Sequence, residues 1–227
     1  MNQLKHLAII LDGNRRWAKE NGLAGLEGHK KGYDNVEKIG LDAFNKGIKY
    51  LTVFAFSTEN WKRSKKEVTY LMNLLFNALT IDLKFYLKHE IIVKVIGRVG
   101  GLSKKLQDAI VDAEEKTKNG KKGQLNLCIN YGGRAEIVDA VKELVLNNVP
   151  LEYVDEKKIS ELLWTSGIPD PDLIVRTSGE HRLSGFLTWQ GVYSEIKFIN
   201  KYWPDFSPQD VDDCISDFAE RKRRFGS

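Results

Sequence analysis

Cysteine is scarce: the 227 residues hold two, Cys128 and Cys214. They show neither CxxC spacing nor a clustered histidine partner. This excludes a disulfide framework and a zinc site, and both read as reduced core thiols of a cytoplasmic protein. Long apolar runs are missing too. The first, residues 7–11, is ended by Asp12, too short for a signal-peptide core or a bilayer span. No Ser/Gly-rich linker, internal repeat or low-complexity tract divides the chain, so one domain over residues 1–227 is expected. Four histidines, His6, His29, His89 and His181, lack metal-ligand spacing. No G-x-x-x-x-G-K-[ST] is present, which excludes a Walker-type NTPase. G-x-G-x-x-G after the first apolar run, G-x-S-x-G and HExxH are absent as well.

What is present is an ordinary globular balance, with 42% hydrophobic and 29% charged residues. A net charge of +4 suits a phosphate-bearing ligand, a nucleic acid or an anionic membrane surface equally. Short apolar runs alternate with helical periodicity. Residues 6–11, 50–56, Ile91–Ile96, 125–130, 173–175 and Glu195–Ile199 read as strands. Helical spacing connects Tyr33, Val36, Gly40, Ala43 and Gly47, then Leu106 to Ala113, then Ile137 to Val145. The expected fold is α/β, a single domain with a mostly parallel central sheet flanked by helices. A last helix starts at Ser207 as cap, with Pro208 in its first turn and Asp210 three residues on; its stripe runs through Val211, Ile215 and Phe218 to Lys222 and Phe225.

Residues 67–88 read as one unusually apolar helix. Val68, Leu71, Met72, Leu75 and Leu79 form one stripe, while Leu74, Phe76, Ile81, Phe85 and Leu87 lie off it. Covering a core needs only one such face. The surplus either packs on several sides or at a dimer interface, or lines an apolar cavity for a greasy ligand.

Ligands of open parallel sheets bind outside the carboxyl ends of the strands. The residues following the strands here are Asp12 to Trp17, Ser57 to Arg63, Asn130 to Arg134 and Arg176 to Arg182. Gly, Asn, Ser and Arg dominate them, which suits oxyanion cradling by backbone amides and guanidinium groups. Asp12-Gly13-Asn14 reads either as a metal and phosphate turn or as a solvated Asx turn. Arg176 and Arg182 read as a diphosphate clamp or as surface ion pairs. Trp61 packs on a substrate or in the core, and His29 contacts a ligand, or caps a helix or sits in the core. Glu195 reads as an inward carboxylate on a strand taken as buried or as a paired structural charge.

Together these motifs resemble the cis-prenyltransferase family. The resemblance rests on Ile9 to Ala18 with Gly28-His29, on Phe54 to Trp61, on Asn130 to Arg134, on Asp172 to Arg182 and on Trp203 to Phe206, in order over nearly the whole chain. It implies a homodimeric α/β enzyme with an apolar tunnel beside the sheet. The implied reaction adds isopentenyl diphosphate to an allylic diphosphate, with farnesyl diphosphate the expected primer. Each new double bond is cis, the product is of about undecaprenyl length for a cell-wall carrier lipid, and the chemistry needs Mg²⁺. By the resemblance, Asp12 and Asn60 are catalytic, and Asp12 and Glu195 lie at the metal. Gly13, Asn14, Arg15, Arg16, Trp17 and His29 bind substrate with Ser57, Thr58, Glu59, Trp61 and Arg63 of a mobile loop. Arg176, Arg182 and Ser184 hold the isopentenyl diphosphate, and Arg224 with Gly226 forms an R-x-G tail reaching the neighbouring subunit. Ala55 is expected beside the tunnel entrance.

The implied localisation is cytoplasmic, peripheral at the inner membrane face, with product delivered to the membrane. Two positions depart from the pattern: Gly25 stands where many relatives carry Arg, and Gly97-Arg98 where many carry Gly-Asp. A non-catalytic subunit is disfavoured because Asp12 and Arg224 are both present. A trans-prenyltransferase is disfavoured because paired DDxxD motifs are absent. No nucleic-acid partner is expected, since no binding motif appears and the basic residues form no single stripe.

Overall fold

The computed structural model describes residues 3–221. Six strands, β1 (His6–Ile10), β2 (Tyr50–Ser57), β3 (Ile91–Ile96), β4 (Gly123–Tyr131), β5 (Leu173–Thr177) and β6 (Glu195–Ile199), form one sheet in the order β3-β4-β2-β1-β5-β6. Every pairing is parallel. All residues of β1 and β5 are buried, as expected of strands covered on both faces. Alternation along β1 divides the core. Leu7 and Ile9 face a large cluster with Ile39, Leu79, Leu106 and Phe218; Ala8 and Ile10 face a smaller one with Cys128, Tyr131 and Phe186. Both cysteines are buried and free.

Among the described residues seven helices connect the strands and an eighth follows the last: α1 (Asn14–Glu20), α2 (Gly25–Asn45), α3 (Lys65–Leu79), α4 (Leu83–Lys88), α5 (Lys104–Thr117), α6 (Gly133–Leu146), α7 (Glu156–Leu162) and, after β6, α8 (Pro208–Glu220). The cap read for the last helix is present: the Asp210 carboxylate accepts from the Ser207 amide at 2.7 Å. Lys222 and Phe225 lie outside the described residues.

Three expectations are corrected. Residues 67–88 are two helices, not one. Thr80 leaves helical geometry, its hydroxyl donates back to the Phe76 carbonyl at 2.7 Å, and the Asp82 amide turns onto Asn77 at 3.0 Å. The helix read from Tyr33 begins eight residues earlier, at Gly25, with Glu27 accepting from the Ala24 amide at 2.8 Å. Finally, β6 is an edge strand of alternating exposure rather than a buried one.

Candidate active site

The loops after β1, β2, β4 and β5 converge at the carboxyl edge of the sheet. Gly13 takes φ +103° to turn β1 into α1, and a Cβ there would lie 2.5 Å from the Tyr202 ring. Asn14, the first residue of α1, is pressed against α2. A Cβ on Gly28 would meet the Asn14 carbonyl at 2.0 Å, and one on Gly32 would meet its side-chain oxygen at 2.2 Å. That side-chain oxygen is buried without a partner.

Asp12 is the hub. Its amide donates to the Thr177 hydroxyl oxygen at 3.0 Å. Its carboxylate accepts from the Gly13 amide (2.7 Å), from Arg16 (3.2 Å) and from Arg176 (2.8 Å). Burial pushes the Asp12 carboxyl up, but the hydrogen bond and charge of Arg176, with Arg16 and the Gly13 amide, hold it below the usual carboxylate range. Arg176 is itself 5% exposed and also donates to Ser184 Oγ at 2.8 Å. Asn130, Ser178 and Ser184 all have positive φ, so backbone strain concentrates in these loops.

A second group surrounds Glu67. Its carboxylate contacts His29 at 3.0 Å, Arg63 at 3.0 Å and Arg15 at 3.8 Å. Burial lowers the His29 pKa, with Arg63 and Arg15 adding to that against Glu67, so the ring is neutral near pH 7. Glu180 bridges Arg16 at 3.0 Å and Arg182, whose hydrogen bond keeps the Glu180 carboxyl low. A carboxylate here occupies the kind of position a phosphate oxygen takes between two guanidinium groups.

From this polar mouth a cavity of about 790 Å³ runs inward between the sheet and α2 and α3. Asp12, Asn14, His29, Arg63, Arg176 and Ser184 line its head, and Val36, Val53, Leu71, Leu75, Ala78 and Leu127 its interior. Gly13, Arg15, Arg16, Lys19 and Gly25 line an adjoining cleft of about 620 Å³. Ser57, Thr58, Glu59 and Asn60 reach the larger cavity from the loop after β2, where Asn60 Oδ1 accepts from the Ser57 amide at 3.1 Å. Ala55 lines it as well, at a β-bulge between Phe54 and Phe56 that re-aims the strand. Of the apolar residues read off the stripe, only Leu74 lines the cavity, beside Leu71 and Leu75 of the stripe itself; Phe76 and Phe85 pack against the core, and Ile81 and Leu87 are exposed.

Several expected site residues are placed elsewhere. Trp17 is not among the lining residues; its indole donates to Asp205 at 2.8 Å. Trp61 is likewise outside the lining, donating to Asn130 at 2.7 Å and packing edge-on against Phe56, which ties its loop to β4. Arg182 stands beside the head through Glu180 rather than in the cavity wall. Glu195 is not brought to Asp12 within the chain. It is level with Leu173, which pairs with Leu7, so it lies roughly 16 Å away along the strands, at the opposite sheet edge. There it pairs with Arg221 at 2.6 Å. Arg224 and Gly226 lie outside the described residues.

Both departures have local consequences. A Cβ on Gly25 would lie 3.6 Å from Arg15 Cγ, so the Arg15 side chain covers the position left without a guanidinium. Arg98 forks onto Asp139 at 2.8 and 2.9 Å, joining the loop after β3 to α6.

Three positioning residues receive no role from the motifs: Glu67, which lies outside them, and Thr177 and Glu180, which lie within the Asp172 to Arg182 segment. Only Glu67 carried a usable signal, the Ser64-x-x-Glu67 spacing of a helix start; Ser64 Oγ accepts from the Glu67 amide at 3.3 Å.

The family model described as "Putative undecaprenyl diphosphate synthase" matches residues 10–226. The chain is 45% identical to the isoprenyl transferase of Clostridium tetani, covering 98% of this chain and 89% of that protein. It is 44% identical to the ditrans,polycis-undecaprenyl-diphosphate synthase ((2E,6E)-farnesyl-diphosphate specific) of Micrococcus luteus, covering 98% and 91%. Among solved structures, lavandulyl diphosphate synthase of Lavandula x intermedia, in complex with dimethylallyl diphosphate, superposes with a TM-score of 0.94 at 36% identity and 99% coverage of both chains. A probable undecaprenyl diphosphate synthase of Campylobacter jejuni superposes at 0.84, with 33% identity and 100% coverage of both. Full-length matches of this kind, on a parallel sheet that places Asp12 and Arg176 at the head of an apolar cavity, make the chain a member of the cis-prenyltransferase family.

Proposed function

We propose that this chain extends an allylic diphosphate, with farnesyl diphosphate as the primer, by repeated condensation with isopentenyl diphosphate. Each step forms a cis double bond, and the product is a polyprenyl diphosphate of about undecaprenyl length for a cell-wall carrier lipid. One observation carries the reading: a single cavity has a polar head, where the guanidinium groups of Arg63 and Arg176 stand with Asp12 and His29, and an apolar interior, matching a molecule with a diphosphate at one end and hydrocarbon at the other.

The chain's own groups divide the work. The amides and cations of Gly13, Asn14, Arg15, Arg16 and His29 receive the allylic diphosphate, and its charge favours the protonated His29. Arg176, Arg182 and Ser184 receive isopentenyl diphosphate. Glu180 yields the two guanidinium groups it now bridges. Ser57 to Arg63 close over the reacting ends, with Asn60 beside them. The apolar wall takes up the growing chain, worth roughly 0.8 kcal/mol per buried CH₂.

Among the described residues no group of three or more His, Cys, Asp or Glu side chains forms a metal cage. Asp12, charged and partly exposed, fits instead a Mg²⁺ shared with substrate phosphates, the usual habit of that ion. When bound, the ion neutralises charge on the leaving diphosphate as the allylic carbon gains cationic character.

No helix among the described residues is long and apolar enough to cross a membrane. The reading supplies a cytoplasmic enzyme that hands its product to the inner membrane face. Val192, Tyr193, Ile196 and Phe198 are exposed at and beside the β6 edge, which supports a homodimer formed there, with the Arg224-x-Gly226 tail serving the neighbouring subunit.

Incubation with labelled isopentenyl diphosphate, farnesyl diphosphate and Mg²⁺ tests the reading: label is expected in solvent-extractable prenyl product, and its complete retention in the starting diphosphate overturns the proposal. Arg182→Ala is expected to raise the KM for isopentenyl diphosphate about ten- to a hundredfold, the loss of one charge-assisted phosphate contact. A rise confined to the allylic substrate would show that the two subsites are exchanged. Ala55→Leu is expected to shorten the products, because its added volume must enter the cavity or a packed wall; an unchanged length distribution would remove Ala55 from the path of the chain.

A further inference from the structure

Asn130 opens the Asn130 to Arg134 motif but lines neither cavity nor cleft. It lies near the end of β4, 6% exposed, with φ +50°, a conformation asparagine tolerates better than most side chains. It is also an extra residue in the ladder. Phe56 pairs with Ile129 and Ser57 with Tyr131, which leaves Asn130 between them as a bulge. Bulges beside active sites re-aim a side chain.

The side chain so aimed bridges two loops. Its Oδ1 accepts from the Trp61 indole at 2.7 Å, and its Nδ2 donates to the Arg98 carbonyl at 2.9 Å. The Arg98 amide in turn donates to the Asn130 carbonyl at 3.3 Å. An indole N–H can only donate and a backbone carbonyl can only accept, so the group between them must carry an acceptor and a donor side by side. A primary amide does; an ionised carboxylate or an apolar side chain of the same size does not.

The Arg98 end of the bridge is firm. The Arg98 guanidinium forks onto Asp139 and stands 5.9 Å from the centre of the Trp164 ring. A Cβ on Gly97 would meet the Ile129 carbonyl oxygen at 2.0 Å, and one on Gly101 would lie 3.1 Å from Asn130 Nδ2, so the loop after β3 is pressed onto β4. The Trp61 end is looser, since Trp61 is 42% exposed. Between Trp61 and β2 stand Ser57, Thr58, Glu59 and Asn60, all of which line the cavity. Just beyond Asn130, residues 132–135 line it as well. A Cβ on Gly132 would lie 2.6 Å from Thr58 Oγ1, so the two lining segments approach each other closely.

We propose that Asn130 is a positioning residue: it latches Trp61 to the end of β4, and thereby sets Ser57 to Asn60 over the head of the cavity in fixed relation to residues 132–135. Arg98, one of the two departures from the family pattern, anchors the latch through its backbone carbonyl, and Asp139 holds the anchor. The proposal rests on the reading of the chain as a prenyl diphosphate synthase.

Two changes test it. Trp61→Phe keeps an aromatic ring beside Phe56 and removes the indole donor. Asn130→Gly removes the bridging amide and suits φ +50°. Each, with the double variant, is compared with wild type by the single-turnover rate constant for the first condensation of isopentenyl diphosphate with farnesyl diphosphate, enzyme in excess, beside a thermal melt. Unfolded molecules lower the amplitude of such a turnover and not its rate constant, so a purely structural bond would leave the constant at the wild-type value. The expected constant is about tenfold lower in either single variant, the scale of one hydrogen bond. In the double variant it is again about tenfold lower, and not a hundredfold, because both changes remove the same contact. Folded single variants at the wild-type rate, or losses that multiply in the double variant, would overturn the proposal and leave the functional reading standing. Should Asn130→Gly fail to fold, Trp61→Phe decides alone, its wild-type rate constant overturning the proposal. A wild type that condenses nothing removes both the reading and the proposal.

Discussion

Asp12→Asn is expected to lower turnover by about 10²- to 10³-fold with the fold preserved, the usual scale for removing one preorganised charge from an active site. The Thr177 contact is made by the Asp12 backbone amide and is untouched, and asparagine keeps the size and one acceptor oxygen, which serves either the Gly13 amide or Arg176. What is lost is the negative charge that the Arg176 and Arg16 neighbourhood keeps ionised, and with it the group fitted to hold Mg²⁺. Asp12→Ala is the poorer experiment. The sequence reading expects that change to leave the fold intact, because the turn needs no carboxylate. In the structure Asp12 is the counter-ion of Arg176, whose side chain is 6% exposed. Both changes remove the counter-charge, but alanine also leaves the buried guanidinium with no acceptor at that position, at a cost of about 1–3 kcal/mol or more. Steady-state turnover measured beside a thermal melt separates the two effects. Near-wild-type turnover of the Asp12→Asn enzyme at saturating Mg²⁺ would end the metal-ligand role.

Gly28→Ala is expected to damage both stability and catalysis. The added methyl would stand 2.0 Å from the Asn14 carbonyl oxygen, a backbone atom, so relief requires α1 and α2 to separate. Overpacking of this kind costs about 1–3 kcal/mol and sometimes more. In a domain of this length that is a fall in Tm of about 2–12 °C. Because the displaced carbonyl belongs to Asn14, between Gly13 and Arg15, the allylic subsite moves with it. The expected kinetic signature is a raised KM for the allylic substrate. A melt and KM matching wild type would mean that the two helices are not in the close contact described.

The same glycines show why parts of the structure were hidden from pattern reading. Strands β1, β3 and β6 were legible as short apolar or alternating runs, and Ser207-Pro208-x-Asp210 announced α8, because these signals are local. The start of α2 was not. Gly28 and Gly32 weaken helical propensity, and their reason for being in a helix is Asn14 on another element. The break between α3 and α4 was equally opaque, since Thr80 is an ordinary residue whose hydroxyl happens to bond back to Phe76.

At the site, the loops were legible because phosphate binding demands Gly, Asn and Arg after strands. Asp12, Asn14, His29, Ser57 and Arg176 do converge on one cavity. The partners that set their charge were not legible. Glu67 and Glu180 are single carboxylates whose meaning comes from the cations that folding gathers around them. The surroundings of Glu195 were hidden for a related reason. Its motif position says that a carboxylate belongs there, but only the strand register shows that it stands at the edge away from Asp12. Trp17 and Trp61 likewise read as substrate contacts and turn out to fasten loops through their indole N–H groups.

The most direct test of the central claim is the structure of the product formed from farnesyl diphosphate and isopentenyl diphosphate with Mg²⁺, read by mass for length and by NMR for double-bond geometry. The account predicts chains of about undecaprenyl length in which every newly formed double bond is cis. Condensation products whose new double bonds are trans, or no condensation at all, would contradict it.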